Sequence, residues 1–246
     1  MEIVGQGRMA EVFGVDDDMV VKLDRPEFNG FALHEEAIMR EVCRSGAPVP
    51  DVLGTTVVDG REGLLLRRLR GPGLGAVIRT SDSALPLAEA FVELQLVLHP
   101  VVAPSAPDLV SRLIEEIERS GLPRGARSEL SRYVTKAGSD VGLCHCDFHP
   151  DNVIVTEAGW RVIDWVGAAT GPTAADFART ILLRADTRDE PTRSFIDHVR
   201  RYGAQRRGIA ADDLNAWLRV IAAARLSEGF SGPYASWLSA VALHSI

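Results

Sequence analysis

One stretch of the chain combines residues whose types and spacing suit phosphoryl transfer. It runs from Cys144 to Trp165 and reads CHCDFHPDNVIVTEAGWRVIDW. Phosphoryl transfer needs one carboxylate to hold the attacking hydroxyl and two oxygen ligands to hold magnesium on the phosphates. A tight loop can carry Asp147 and Asn152, and a hairpin over 153–163 can return the chain so that Asp164 faces the same metal. The chemical core of the stretch consists of His145, Asp147, His149, Asn152 and Asp164.

Two simpler interpretations of the same stretch stay open. The segment Cys144–His149 contains two cysteines and two histidines that could bind a metal, although a C-x-C pair without a second cysteine pair makes a poor tetrahedral zinc site. Asp147 and Asn152 could also be ordinary turn residues, since Asp and Asn favour turns. The motifs near the amino terminus weigh against both interpretations.

A glycine-rich run and a strand lysine come early in the chain. Gly5 and Gly7 begin a G-x-G-x-x-A-x-V run, and glycines let the backbone approach phosphates closely. Only four residues precede Gly5, so we expect the first strand to be nearly absent. Lys22 lies in a predicted strand over 19–23, and among 27 basic residues only Lys22 and Lys136 are lysines. A lysine retained in an arginine-rich chain indicates a specific contact, because the two side chains are not interchangeable; a surface lysine on an edge strand is the alternative.

The other elements follow from periodicity and turn signals. Asp59 and Gly60 predict a hairpin turn. Thr173 is the predicted cap of a helix that runs to Arg184 and contains Asp176. His99 is interpreted as a surface or core histidine without a role. The predicted strands cover 12–15, 52–58 and 61–69, and the predicted helices cover 29–44, 84–99, 108–120, 127–137, 192–202, 211–228 and 234–244.

Taken together, the motifs resemble those of the aminoglycoside phosphotransferase and choline kinase branch of the protein-kinase-like fold. The resemblance rests on D-F-H-P-x-N from Asp147 to Asn152, on I-D-W around Asp164, on the glycine-rich run and on the strand with Lys22. It implies an α+β fold with two lobes. A small antiparallel sheet with one helix would cover 1–71, and a mainly helical lobe would cover 72–246. Asp151 departs from that branch, which often has Gly there.

The resemblance also implies a role for each site residue. Asp147 would orient the acceptor hydroxyl and accept its proton late, Asn152 and Asp164 would hold Mg²⁺, and Asp176 would brace the catalytic loop. Lys22 would contact the α and β phosphates of ATP, with GTP as the alternative donor. A helix Glu would brace Lys22; Glu35 and Glu36 compete for this place, and we choose Glu36. The remaining nucleotide contacts would come from Gly5, Gly7, Leu66, Arg67 and Leu69.

Composition excludes several classes of protein. The chain has 246 residues, 46% of them hydrophobic and 25% charged, which is typical of a globular protein. A net charge of −7 argues against a nucleic-acid binder. No apolar run is long enough for a membrane span, and no signal peptide is expected. Three cysteines argue against a disulfide framework and favour the cytoplasm. The oligomeric state, monomer or dimer, does not follow from the sequence.

The identity of the acceptor is the open question. The resemblance makes an aminoglycoside-type antibiotic the leading acceptor, and hence antibiotic resistance the leading role. Clustered carboxylates hold such polycations, because several ammonium groups must be paired. Of 34 acidic and 27 basic residues, 26 and 17 precede residue 166, so 8 acidic and 10 basic residues remain in the segment that usually completes the acceptor site. The candidate carboxylates are Asp151, Asp186, Asp189, Glu190 and Glu228.

Other acceptors and other functions remain open at this stage. Residues 166–246 have no acidic surplus, which equally favours a less cationic hydroxylated metabolite or antibiotic. A protein kinase is disfavoured, because the D-F-G and A-P-E segments are missing. A non-catalytic nucleotide-binding module is the alternative outside enzymes.

Overall fold

The computed structural model describes residues 2–136, 140–185 and 187–244. The chain divides into two compact units. The first comprises Met1–Val77, Val101–Ala106 and Pro150–Ala168, and the second comprises Ile78–Pro100, Pro107–His149 and Ala169–Ile246. The boundary predicted after residue 71 stays a prediction.

The elements confirm the predicted α+β class. The strands are β1 (Glu2–Gln6), β2 (Ala10–Gly14), β3 (Met19–Asp24), β4 (Val52–Val58), β5 (Arg61–Arg67), β6 (Val141–Cys144), β7 (Val153–Thr156), β8 (Gly159–Val162) and β9 (Ala169–Pro172). The helices are α1 (Phe31–Arg44), α2 (Leu74–Thr80), α3 (Leu85–Leu98), α4 (Leu109–Glu118), α5 (Arg124–Lys136), α6 (Thr173–Leu182), α7 (Glu190–Arg207), α8 (Ala211–Leu226) and α9 (Gly232–His244). In the described part of the chain, no helix has the length and apolarity that a membrane crossing requires.

The first unit is built on an antiparallel sheet with strand order β1-β2-β3-β5-β4. β3 and β5 occupy the interior of the sheet, and α1 packs against β3, β4 and β5. Asp59 and Gly60 both have positive φ, 51° and 78°, as the tight turn between β4 and β5 requires. The expectation of a nearly absent first strand was wrong, because β1 pairs with β2 from Glu2 onward.

The first unit contains a second hairpin, β7–β8. The segment that follows β5 pairs with β7 of this hairpin. The N–H of Val155 donates to the carbonyl of Pro72 at 2.9 Å, and Gly73 bridges Ile154. Gly71 has a φ of +150°, and a Cβ there would lie 1.9 Å from the carbonyl oxygen of Val155. Gly71 is therefore the residue that lets this segment approach β7 closely.

The second unit is mainly helical, with a small β6–β9 ribbon. Its core contains Phe91, which stacks on Phe148 with ring centroids 4.3 Å apart and meets the edge of Phe195 at 5.3 Å. Phe148 belongs to the segment that carries Asp147, so the packing of Phe148 in the core holds that segment in place. α6 is buried along most of its length, with Asp176 among its buried residues.

The predicted cap at Thr173 was wrong. Thr173 is the first residue of α6, Pro172 occupies the cap position, and the Thr173 hydroxyl donates to Asp140 instead. Among the described residues, some short helices and strands are elements that the sequence did not indicate. They include α2, β6 and β9.

Candidate active site

Lys22 lies between two carboxylates of the first unit. It projects from β3 with its side chain 15% exposed. Its Nζ donates to Glu35 Oε2 at 2.7 Å and to Asp164 Oδ1 at 2.6 Å. The alternative of a surface lysine on an edge strand is excluded, because β3 is an interior strand and both partners come from distant parts of the chain.

The choice of Glu36 as the partner of Lys22 was wrong. Glu36 Oε1 accepts a hydrogen bond from Arg40 Nε at 2.5 Å, on the solvent side of α1. Glu35 is 2% exposed and shares the buried face of the helix with Ala32, Ile38, Met39 and Val42. One residue is a rotation of about 100° around a helix, so only one of two adjacent glutamates can face the sheet.

Glu35 connects Lys22 to the segment after β8 that carries Asp164. While Oε2 accepts from Lys22, Oε1 accepts from the backbone N–H of Trp165 at 2.8 Å. Burial alone would lower the pKa of Lys22, but the charges of Glu35 and Asp164 outweigh it, so the pKa of Lys22 is raised. The ammonium group is therefore fixed in its charged form.

The predicted magnesium ligands lie at the base of the β7–β8 hairpin. The N–H of Ile163 donates to the carbonyl of Asn152 at 3.0 Å, which brings the residues before β7 and after β8 together. Asp164 has a φ of +66°, a conformation that few residues other than glycine adopt and that turns the chain sharply at this point. Asn152 is buried, and the side chain of Asp164 is 38% exposed.

An amide oxygen and a carboxylate fit a magnesium site. Mg²⁺ takes oxygen ligands and is usually held by one or two protein groups plus substrate phosphates. Among the described residues, no group of three or more His, Cys, Asp or Glu side chains is placed to hold a metal. The thiols of Cys144 and Cys146 instead donate to backbone carbonyls of the second unit, which gives the zinc interpretation no support.

The residues predicted to contact the nucleotide lie in and after the edge strand β1 and in and after the interior strand β5. Gly5 is in β1, and the N–H of Gly7 donates to the carbonyl of Ala10 at 2.9 Å, which closes the turn into β2. Leu66 is buried in β5, and Leu69 follows that strand. The N–H of Arg67 donates to Asp51, so only the carbonyl of Arg67 could serve the edge of a base.

Asp147 lies in the second unit, close to two histidines and under the influence of the charge of Arg179. His149 Nε2 is 3.5 Å from Asp147 Oδ2, and the backbone N–H of Asp147 donates to His145 Nδ1 at 3.2 Å. Partial burial alone would raise the pKa of Asp147, but contact with His149 and the charge of Arg179 outweigh it. The pKa of Asp147 is therefore held well below its usual range.

A buried aspartate braces the backbone immediately before Asp147. Cys146 has a φ of +61°, and its N–H donates to Asp176 Oδ1 at 2.7 Å. Asp176 Oδ2 accepts from Gln95 at 2.8 Å and lies 3.2 Å from His99 Nε2. This is the brace expected of Asp176, and His99 is a buried histidine that completes it.

Sequence reasoning missed two charged contacts of the second unit. Arg179 donates to Glu228 at 2.9 Å, and Arg184 Nη2 lies 3.1 Å from His149 Nδ1. Burial would lower the pKa of Arg179, but the charges of Glu228 and Asp147 raise it. The only indication in the sequence that Arg179 belongs to this region was its position one helical turn after Asp176.

Comparisons with known proteins show the family and the fold of the chain. The model of the Phosphotransferase enzyme family matches residues 2–211. A search of curated proteins gives no significant match.

Solved structures resemble the chain over most of its length. A crystal structure of aminoglycoside phosphotransferase APH(4)-Ia has a TM-score of 0.73 and 17% identity, over 98% of this chain and 90% of that chain. A choline/ethanolamine kinase family protein from Mesorhizobium loti has a TM-score of 0.64 and 18% identity, over 97% and 85%. APH(3'')-Id from Streptomyces rimosus, in complex with ADP and streptomycin, has a TM-score of 0.62 and 21% identity, over 86% and 89%. At these identities the likeness shows the fold alone, and it is the predicted protein-kinase-like fold.

Proposed function

Since the chain belongs to the phosphotransferase enzyme family, we propose that it transfers the γ-phosphoryl group of ATP to a hydroxyl of a small molecule. One observation carries the proposal. Lys22 is held in its charged form between Glu35 and Asp164, at 2.7 and 2.6 Å, which is the arrangement that orients nucleotide phosphates in this fold.

The nucleotide would be held by groups of the first unit. Lys22 has three N–H donors, two of them already used, so one is left for a phosphate oxygen. Gly5 and Gly7 would cover the phosphates, and Leu66 would line the base pocket. The Arg67 carbonyl and the Leu69 N–H would meet an amino group and a ring nitrogen of adenine, a pairing that favours ATP over GTP.

Asn152 and Asp164 would hold the magnesium ion, which would neutralise phosphate charge and orient the γ-phosphoryl group.

In the second unit, Asp147 would accept a hydrogen bond from the acceptor hydroxyl. Its lowered pKa keeps it ionised at neutral pH, so it can direct the hydroxyl oxygen toward phosphorus and take the proton late in the transfer.

An aminoglycoside-type antibiotic is the first acceptor to test, with a less cationic hydroxylated compound as the alternative. The structure of the second unit strengthens the alternative, because its candidate carboxylates are already engaged. Glu228 pairs with Arg179, Glu190 pairs with Arg193, and Asp189 caps α7. Asp186 lies outside the described residues, and Asp151 belongs to the first unit. A polycation with many ammonium groups would have to displace these internal partners.

ATP as donor and three free cysteines agree with a cytoplasmic enzyme, and an antibiotic acceptor would make it a resistance determinant. The test has two stages. Thermal shift with MgATP measures binding, and transfer of labelled phosphate is then measured on a panel of aminoglycosides and uncharged polyols. Binding without transfer to any acceptor would favour a nucleotide-binding module instead.

Two variants separate the roles of the carboxylates. Asp147→Asn should abolish transfer and leave MgATP binding nearly intact, because Asp147 faces the acceptor. Asp164→Asn should weaken the part of ATP binding that depends on magnesium. Equal loss of nucleotide binding in both variants would contradict these roles.

The lack of an acidic surplus in residues 166–246 predicts a narrow range of acceptors. Any aminoglycoside turnover should be confined to few substrates, and the acceptor KM should rise steeply with salt, because exposed ion pairs are screened. Efficient turnover of a broad aminoglycoside panel at all ionic strengths would contradict it.

A further inference from the structure

An arginine and a histidine of the second unit form a chain of contacts that ends on Asp147. Arg184 Nη2 lies 3.1 Å from His149 Nδ1, and His149 Nε2 lies 3.5 Å from Asp147 Oδ2. The histidine side chain is 17% exposed, so protein largely encloses the ring.

The chemistry of the arginine fixes the direction of both contacts. A guanidinium group can only donate hydrogen bonds, so His149 Nδ1 must accept and carries no proton. The ring proton of the neutral imidazole is therefore on Nε2, the atom that faces the Asp147 carboxylate. With Arg184 in place, His149 can donate to Asp147 from Nε2.

The same arrangement occurs a second time in this unit. Arg207 Nη1 lies 3.0 Å from His99 Nδ1, and His99 Nε2 lies 3.2 Å from Asp176 Oδ2. That second chain fixes the backbone before Asp147, through the contact of Asp176 with Cys146 at 2.7 Å. One Arg–His–Asp chain thus holds the backbone of the catalytic loop, and the other ends on its carboxylate.

We propose that Arg184 and His149 are positioning residues for phosphoryl transfer. Arg184 holds His149 in the tautomer that donates from Nε2, and His149 in turn fixes the orientation of the Asp147 carboxylate toward the acceptor hydroxyl. The 3.5 Å contact is long for a hydrogen bond, and contacts of this kind tighten when the reacting groups are bound. His149 does not act as the base itself. The inference rests on the proposed function.

The kinetic test is a double-mutant cycle with MgATP as donor. The acceptor is the best one of the panel above, or water where none turns over. His149→Phe removes both contacts while keeping a flat ring, and Arg184→Met removes the donor while keeping the length of the side chain. Each should lower kcat by about 10- to 100-fold, the loss typical of partners that orient a reacting group, without changing the KM for ATP.

The double variant distinguishes action through His149 from direct contact with substrate. If Arg184 acts through His149, the double variant should be no slower than His149→Phe alone. Additive losses, or a raised KM for ATP in Arg184→Met, would overturn the proposal, because Arg184 would then contact a substrate itself. His149→Gln, whose terminal amide can both donate and accept, should recover most of the lost kcat. Arg188→Met is the matched control at a nearby exposed arginine and should match the wild type.

A spectroscopic measurement tests the geometry without activity. Nitrogen-15 shifts of the His149 ring should show a protonated Nε2 and a bare Nδ1 in the wild type, and a mixture of tautomers in Arg184→Met. A wild-type ring protonated on Nδ1 would overturn the proposal. If the wild type transfers no phosphate at all, the proposed function fails while the ring shifts still decide whether the contact chain exists.

Discussion

Glu35 and Glu36 are adjacent glutamates of α1 that should respond very differently to replacement by glutamine. The Glu35 carboxylate is 2% exposed and accepts from two donors, Lys22 at 2.7 Å and the Trp165 N–H at 2.8 Å. A glutamine has one carbonyl oxygen and one NH₂ group, so one of these two donors must face another donor. A buried donor left unsatisfied costs about 1–3 kcal/mol. The cost stays below the roughly 3–5 kcal/mol of a broken isolated ion pair, because Lys22 keeps Asp164 at 2.6 Å.

Glu36 offers the matched control. Its pair with Arg40 is an i,i+4 contact with both side chains more than one-fifth exposed, and such pairs contribute about 0.3–0.5 kcal/mol. In a chain of this size, 1 kcal/mol lowers Tm by about 2–4 °C. Glu35→Gln should therefore lower Tm by roughly 2–12 °C, and Glu36→Gln by at most about 2 °C.

Calorimetry and steady-state kinetics with MgATP measure both effects. If the loss of about 1–3 kcal/mol at Glu35 is felt in the transition state, kcat/KM for ATP should fall about 5- to 140-fold, since 1.4 kcal/mol corresponds to a factor of ten. Glu36→Gln should retain wild-type kinetics. Equal losses in the two variants, in either assay, would refute the assignment of Glu35 as the partner of Lys22.

Substitutions of Gly71, Lys22 and Asp176 have separate expected results. Gly71→Ala places a Cβ 1.9 Å from a backbone carbonyl of β7 and should lower Tm clearly, whereas Gly73→Ala, whose Cβ meets nothing within 4 Å, should not. Lys22→Arg should impair turnover despite the conserved charge, because a forked guanidinium does not fit a point-charge site, and Lys136→Arg should be silent. Burial would raise the pKa of Asp176, but its hydrogen bonds and a neighbouring histidine lower it, so Asp176 stabilises the fold at neutral pH and loses that effect as pH falls below about 4. Denaturant unfolding should therefore show the stability gap between wild type and Asp176→Asn shrinking in acid.

The hairpin between the two predicted metal ligands was predictable. β7 and β8 return the chain from Asn152 to Asp164 within twelve residues, so local geometry limits where these two groups can lie. The turn at Asp59 and Gly60 was equally local, since its two residue types favour positive φ. Spacing carries such information because few backbone conformations connect residues so near in the chain.

Contacts between distant segments were not predictable in the same way. Glu35 and Glu36 differ only in the phase of one helix turn, and Leu33, which looks apolar and inward in the sequence, is 50% exposed. The buried face of α1 could be identified only from the sheet that the helix covers. Arg184 and His149 are 35 residues apart, and nothing in either local sequence links them. The β6–β9 ribbon similarly pairs two four-residue strands that are too short to show a pattern.

The charges around Lys22 indicate different roles for Glu35 and Asp164. One ammonium group faces two carboxylates, so Lys22, Glu35 and Asp164 together carry a net charge of −1 before any phosphate arrives. A triphosphate would add further negative charge, which a divalent cation at Asp164 would offset. Glu35 is enclosed and bonded to the Trp165 backbone, while Asp164 is 38% exposed. Under the proposed function, Glu35 would hold Lys22 and Asp164 would receive the cation, so we expect magnesium-dependent nucleotide binding to be lost in variants of Asp164 rather than of Glu35.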